Sequence, residues 1–351
     1  MWRDRGAKRT MRKELSAGLD FTRIIACFMV VVLHVSATGV AAFGHDWAYF
    51  NAYDSLVRSC VPLFLMLSGA LLLGREEGVK AFYTKRFIRI FPPLIFWSVF
   101  YVLWKTRLTG DYSGLSASMV SVFKGPAYFH LWYLYALVGI YLFIPFMAKI
   151  YRHSTDAEKL IYLSIWFVVA SVIPLVTYFY PGVGDLASVY GLSSFAGLSG
   201  FVFLGAYVFD RIQTQQAPTV LVDAAGFLIC AVCTALATYG LSLRDGVPNQ
   251  LFFSYLSPFV VVGSIFGFRL FVELGARLAR HAKVLNVLAG STLGVYCLHI
   301  FVMNRLSIVY GPLIEGHSML WIIPALVFSL FLITLVPIFI ARLFTPLRHI
   351  I

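Results

Sequence analysis

Charge is what this sequence has least of. Of its 351 residues only 13% are Asp, Glu, Lys or Arg, and just 16 are acidic, against about a quarter charged residues in a soluble domain. That scarcity excludes a water-soluble globular protein. Long polar connections are missing too: the longest, Lys105 to Ala127, has room for a short helix or lid and no more, so no soluble catalytic domain is present and any chemistry belongs to the apolar part. The five cysteines, Cys27, Cys60, Cys230, Cys233 and Cys297, all fall in apolar stretches, which argues against disulfide or redox roles. Cys230-Ala-Val-Cys233 has redox spacing but no flanking His or further Cys, and reads as small packing residues in a helix. No internal repeat is visible, which counts against the inverted halves of many secondary carriers.

What the chain does have is oil. Hydrophobic residues make up 60% and the mean hydropathy is +0.83. A spanning helix needs about 20 mainly apolar residues, and ten stretches qualify: 21–43, 53–73, 87–104, 128–148, 159–180, 192–209, 219–241, 251–272, 286–306 and 318–342. The sixth is rich in glycine and serine. The expected fold is an all-α polytopic membrane helix bundle of about ten transmembrane helices. The N-terminus resembles a signal peptide, with Val35-Ser36-Ala37 as a passable cleavage site, but its apolar run is longer than a signal core and is read as a retained span.

Lys and Arg set the orientation, because cytoplasmic loops are enriched in them. With the N-terminus inside, 21 of the 28 fall on the cytoplasmic side, including Arg3, Arg5, Lys8, Arg9, Arg12 and Lys13. Both termini are therefore expected to be cytoplasmic, with residues 1–20 a basic leading segment, 21–343 the membrane domain and 344–351 a short tail. The net charge of +12 sits in juxtamembrane loops of one sidedness rather than on a soluble basic face. It points to anionic lipid headgroups and away from nucleic acid.

Two ionisable residues interrupt the first span, Arg23 and His34. Such groups are costly inside hydrocarbon and usually face a cavity or a partner. Eleven positions is close to three helical turns, so both lie on one face, about 16 Å apart along the axis. Arg23, three residues after Asp20, falls at the inner interface, and His34 falls past the midplane. His130 opens the fourth span and His299 lies in the outer half of the ninth, so three distant spans can bring histidines to one outer pocket, with Arg58 of the second span at similar depth. A zinc site is disfavoured: no ligand pair has close helical spacing, and no intramembrane carboxylate is expected beside the histidines.

At the inner side, Lys85-Arg86-Phe-Ile-Arg89-Ile-Phe-Pro92-Pro93 places Arg86 and Arg89 one turn apart at the mouth of the third span, before an expected kink. Pro145 and Pro174 mark further kinks. Arginines at helical spacing serve as interfacial anchors and also suit the forked gripping of phosphate.

Taken in order, these elements resemble the membrane-bound acyltransferase 3 family. The resemblance rests on Leu19-Asp20-Phe-Thr-Arg23 with His34 following; Val61 to Ser68-Gly69; Arg86-x-x-Arg89 with Pro92; His130-Leu-Trp132 with Tyr141 and Pro145; Gly205; and Ser291 to Tyr296 with His299. It is nearest to the branch that O-acetylates enterobacterial common antigen and exopolysaccharides. The resemblance implies a bacterial inner-membrane O-acetyltransferase carrying acetyl from cytoplasmic acetyl-CoA, a transient donor rather than a resident cofactor, to a hydroxyl of a lipid-linked oligosaccharide or exopolysaccharide outside. It implies catalytic roles for His34 and Arg23, and donor binding by Arg23, Arg86, Arg89 and the adjacent Lys85. Arg58, Ser68, His130, Trp132, Tyr296 and His299 are pocket candidates. No metal is implied, membrane lipids are partners, and a homo-oligomer is compatible. The acceptor sugar, acetyl against succinyl, and direct against covalent transfer stay open, as does a transporter or flippase of lipid-linked glycan.

Overall fold

A computed structural model describes residues 2–350 except 42, 111, 193–196, 215–219, 315–316, 345–346 and 349; side chains of 2–10, 12 and 309–314 also lie outside the described set. The basic side chains Arg3, Arg5, Lys8, Arg9 and Arg12 therefore fall outside it, as do part of the expected sixth span and part of the expected tail.

Among the described residues the regular structure is all helix. In chain order the helices are α1 (Trp2–Val40), α2 (Trp47–Val57), α3 (Cys60–Leu72), α4 (Val79–Thr109), α5 (Leu115–Ser121), α6 (Trp132–His153), α7 (Asp156–Phe167), α8 (Ile173–Phe179), α9 (Leu186–Val189), α10 (Ser199–Thr214), α11 (Val220–Asp245), α12 (Pro258–Arg277), α13 (Ala282–Ile314) and α14 (Met319–Ala341). Among the described residues, nine helical stretches are long and apolar enough to cross a membrane. In hydrocarbon every backbone group must find its partner within the segment, which is why apolar runs of this length become helices.

Three departures from the sequence reading have physical causes. The expected sixth span is α10, which starts at Ser199 and has 16 residues, about 24 Å of helix. It is shorter than a full crossing and is buried along most of its length from Gly200 to Phe209, so protein rather than lipid surrounds it. The second span is two helices, α2 and α3, separated at Arg58-Ser59. Finally, α4 and α6 run unbroken through Pro92, Pro93 and Pro145, whereas Pro174 follows a π-helical turn, Val168–Val172, that absorbs its missing N–H.

The core is built around α1, which packs against α2, α3, α12, α13 and α14. Small residues bring helices to backbone contact, the usual means of association where lipid is as apolar as leucine. The tightest crossing is α3 on α10. A Cβ on Gly69 would lie 1.7 Å from the Val202 carbonyl oxygen, and one on Gly205 would lie 2.2 Å from the Met66 backbone. This crossing holds α3 in place as one wall of the cavity described next. The Lys105 to Ala127 connection carries the single short helix α5, as its length allowed.

Candidate active site

At one end of the bundle a cavity of about 650 Å³ opens between α1, α3, α4, α6 and α13. Its wall carries six arginines: Arg23 of α1, Arg75 just after α3, Arg86 and Arg89 of α4, and Arg342 and Arg348 after α14. Asp20 is the single carboxylate among the described lining residues. It stands 3.7 Å from Arg23 and accepts a hydrogen bond from Asn286 Nδ2 at 3.1 Å, so α13 holds the carboxylate that orients the guanidinium. Arg86 is mostly sheltered, with 17% of its side chain exposed, its Nε buried without an acceptor, and its guanidinium over the Phe82 ring at 5.2 Å. Among the described residues its one acidic neighbour within 4 Å is Glu77, 3.9 Å away. Pro92 and Pro93 release the carbonyls of Ile88 and Arg89 one turn earlier, both residues of the cavity wall. Five positive charges in excess on one cavity wall suit a ligand that brings several negative charges.

Inward the cavity becomes apolar and aromatic. Ser68 Oγ lies 3.1 Å from the Tyr141 hydroxyl, and both line it. The inner end is formed by Tyr133 and Tyr296, whose rings meet at 5.9 Å. Behind them stand the histidines: ring centroids of His34 and His299 are 5.1 Å apart, of His130 and His299 5.5 Å, and of His34 and His130 6.4 Å. The Tyr296 ring touches His130 at 5.8 Å and His299 at 6.2 Å, and its hydroxyl donates to the His130 carbonyl. These two tyrosines thus form the partition between the arginine-walled cavity and the histidine cluster.

Backbone carbonyls fix the tautomers of the two buried histidines. His299 Nδ1 lies 2.7 Å from the Tyr296 oxygen, and His130 Nε2 lies 3.2 Å from the Cys297 oxygen. A carbonyl only accepts, so those nitrogens carry the protons in neutral rings. His299 Nε2 and His130 Nδ1 are therefore lone-pair nitrogens, and both are buried with no hydrogen-bond partner among the described residues. A neutral pair so arranged can receive hydrogen bonds from hydroxyls and cannot polarise a thioester carbonyl. His34 is half-buried and has the exposed Phe129 ring beside it at 5.5 Å. Among the described residues no three of His, Cys, Asp or Glu are placed to share a metal ion.

The predicted residues do not all converge. Arg23, Arg86, Arg89, Ser68 and Tyr296 line the cavity, and His34, His130 and His299 form the cluster behind it. Lys85 does neither: it is 65% exposed and bonded to Glu77 at 2.5 Å. Trp132 stacks on Tyr255 at 5.9 Å, away from the cavity wall. Arg58 sits at the α2–α3 break, paired with the fully buried Asp54, bonded to the Phe253 carbonyl at 3.3 Å and lying over that ring at 4.1 Å. Asp54 is a carboxylate inside a stretch long and apolar enough to span the membrane, and its partner is Arg58 rather than the histidines. A second, Asp223, pairs with Arg269 at 3.0 Å; each is held by an arginine that offsets its charge. Arg75, Arg342, Arg348, Tyr133 and Asn286 were missed as site residues. The three arginines read as interfacial anchors in sequence, and nothing local separates an anchor from a cavity wall.

A comparison with known families decides the larger question. The model of an acyltransferase domain, acyltransferase 3, matches residues 16–342. The chain belongs to the acyltransferase 3 family. It is a multi-pass membrane acyltransferase, and the family's domain runs from residue 16 within α1 to just past the end of α14, with Arg23, His34, the α4 arginines and all three clustered histidines inside it. No curated protein and no solved structure matches this acyltransferase.

Proposed function

We propose that this acyltransferase carries an acetyl group from acetyl-CoA, which enters at the arginine-walled cavity from the cytoplasm of a bacterium, to a hydroxyl of a lipid-linked oligosaccharide or exopolysaccharide on the opposite side of the inner membrane. The observation that carries this reading is the cavity itself: six arginines against one aspartate at its wall, and at its inner end Tyr296, which packs on His130 and His299. A CoA thioester fits both ends. Its phosphates bring about four negative charges at neutral pH, matched by guanidinium forks, while its pantetheine arm is uncharged and suits the narrower aromatic interior.

Arg23, Arg86 and Arg89 grip the phosphates, and the arm runs along the α1 face toward His34, about 16 Å away along the helix. Passage needs the Tyr133–Tyr296 partition to part. His34 takes the proton from the acceptor hydroxyl as the oxygen attacks the thioester carbonyl. The new bond is the ester C–O, the bond broken is C–S, and the CoA thiolate leaves and is reprotonated. A neutral imidazole suits this role because its unperturbed pKa lies near operating pH. His299 Nε2 and His130 Nδ1 receive hydrogen bonds from acceptor hydroxyls, the one polar role their tautomers allow.

The test is incubation of purified protein with radiolabelled acetyl-CoA and lipid-linked sugars. Label passes to the sugar with wild type and not with His34→Ala at equal expression. Sugar movement across vesicles without acetyl-CoA consumption would instead establish a flippase and end this reading.

A further inference from the structure

Beside His34 stands an aromatic ring that helix packing does not account for. Phe129 is 57% exposed, although the two residues that follow it, His130 and Leu131, are buried. It opens a single 3₁₀ turn, Phe129–Leu131, immediately before α6, and the Leu131 N–H closes that turn on the Tyr128 carbonyl at 3.0 Å. A ring exposed at the end of a span is ordinarily an interfacial anchor. Phe129 differs in what it touches: its ring centroid lies 5.5 Å from that of His34 and 5.7 Å from that of His130, edge-to-face in both cases. It is absent from the wall of the arginine cavity, so the surface it offers is separate from the donor's entrance.

The ring is also firmly backed. Phe129 meets Tyr128 at 5.3 Å, Tyr128 stacks on Tyr101 of α4 at 4.7 Å, and the Tyr128 hydroxyl accepts from Asn304 Nδ2 of α13 at 3.1 Å. Two long helices thus hold the turn that holds the ring, so little conformational freedom is lost when a ligand settles on it. His130, which the ring touches, carries the Nδ1 lone pair, and the His299 ring with its Nε2 lone pair lies 5.5 Å from His130. An exposed apolar ring next to nitrogens that accept from hydroxyls is the complement of a sugar. A pyranose has C–H groups on its faces and hydroxyls round its edge, and C–H groups are drawn to the negative face of an aromatic ring.

Resting on the function proposed above, we propose that Phe129 seats the acceptor. A pyranose lies with a C–H face on the phenyl ring, one edge hydroxyl at His34 and its neighbours on His130 Nδ1 and His299 Nε2. The acceptor class is then a pyranose with an unhindered C–H face, and open-chain polyols are poor acceptors. Phe129 binds and does no chemistry.

The experiment gives full-length protein in lipid nanodiscs radiolabelled acetyl-CoA together with octyl pyranosides of glucose, galactose, mannose and N-acetylglucosamine, or with 1-O-octylglycerol, which has hydroxyls and no ring face. Wild type takes at least one pyranoside better than the glycerol ether, by about tenfold in kcat/KM. Phe129→Ala raises KM for that pyranoside about 3- to 10-fold, while KM for acetyl-CoA and kcat/KM for the glycerol ether stay within about twofold. Phe129→Trp restores the preference. Phe123→Ala, which removes an 83% exposed ring from the preceding connection, keeps it. Phe129 is exposed, so its variants fold as wild type does, which a melting curve checks. A preference that survives Phe129→Ala, a loss that the glycerol ether shares, or an equal loss in Phe123→Ala overturns the seat, as does label passing to the glycerol ether and to no pyranoside. Transfer to none of these acceptors overturns the glycan-acceptor reading instead.

Discussion

Arg86→Gln is the sharpest separation of donor binding from chemistry. The side chain is mostly sheltered, its Nε is buried without an acceptor, and its neighbour Glu77 is too far for a hydrogen bond at 3.9 Å. An arriving phosphate therefore meets a guanidinium with unused donors. A hydrogen bond to a charged group contributes about 1.5–3 kcal/mol. The cavity mouth is wet, and screening reduces this to roughly 1–2 kcal/mol, which at 1.4 kcal/mol per tenfold is about a 5- to 30-fold rise in Kd for acetyl-CoA. Arg86→Lys keeps the charge but loses the fork and recovers only part of the affinity. Calorimetry at two salt concentrations reads both effects, since an electrostatic contribution at the mouth shrinks as the Debye length falls. A Kd within twofold of wild type, or a loss that ignores salt, refutes the assignment of Arg86 to the phosphates.

His34→Ala keeps donor affinity and lowers kcat by roughly 10²- to 10⁴-fold, the range of general-base contributions, measured as label transferred per turnover; an unchanged rate removes the base role. Gly205→Ala forces a methyl against the Met66 backbone, which cannot yield as a side chain would, and costs about 1–3 kcal/mol or more, read as a lower melting temperature in detergent. Asp54→Ala leaves Arg58 buried and unpaired, at a cost of about 3–5 kcal/mol; Asp54→Leu with Arg58→Met melts higher than the single variant. Hydrogen bonding from Lys85 holds the Glu77 carboxyl below its ordinary 4.5. The stability this pair contributes is present above 4.5 and is lost as pH falls through the lowered folded value, so a pH-melting series shows the loss only on the acid side, and Glu77→Gln abolishes that step.

Much of the site could be read from local pattern because it rests on helical phase. Arg23 and His34 share a face of α1 by the arithmetic of 3.6 residues per turn, and Arg86 and Arg89 share a turn of α4; in the structure Arg23, Arg86 and Arg89 line the cavity and His34 stands with His130 and His299. The convergence of His34, His130 and His299 followed from expected depth, since spans that alternate in direction give each residue an expected height in the bundle. Height leaves azimuth open. Lys85, one position from Arg86, turns outward to Glu77, while Arg75, Arg342 and Arg348, indistinguishable in sequence from headgroup anchors, line the cavity. Asp54 escaped notice because its partner, four residues on, sits where the helix breaks.

The sequence alone determined that this is a membrane bundle, that it is poor in charge, and that the few polar residues inside it fall at two depths, because apolar length and helical period are local properties of a chain. Which helices touch was decided only by tertiary structure. The α3–α10 crossing at Gly69 and Gly205, the Tyr133–Tyr296 partition and the folded-back end that brings Arg342 and Arg348 to the cavity depend on rotations of one helix against another. Those rotations are set by packing among residues far apart in the chain, from 52 positions for Gly290 and Arg342 to 253 for Trp97 and Ile350, and no periodicity within a single span encodes them.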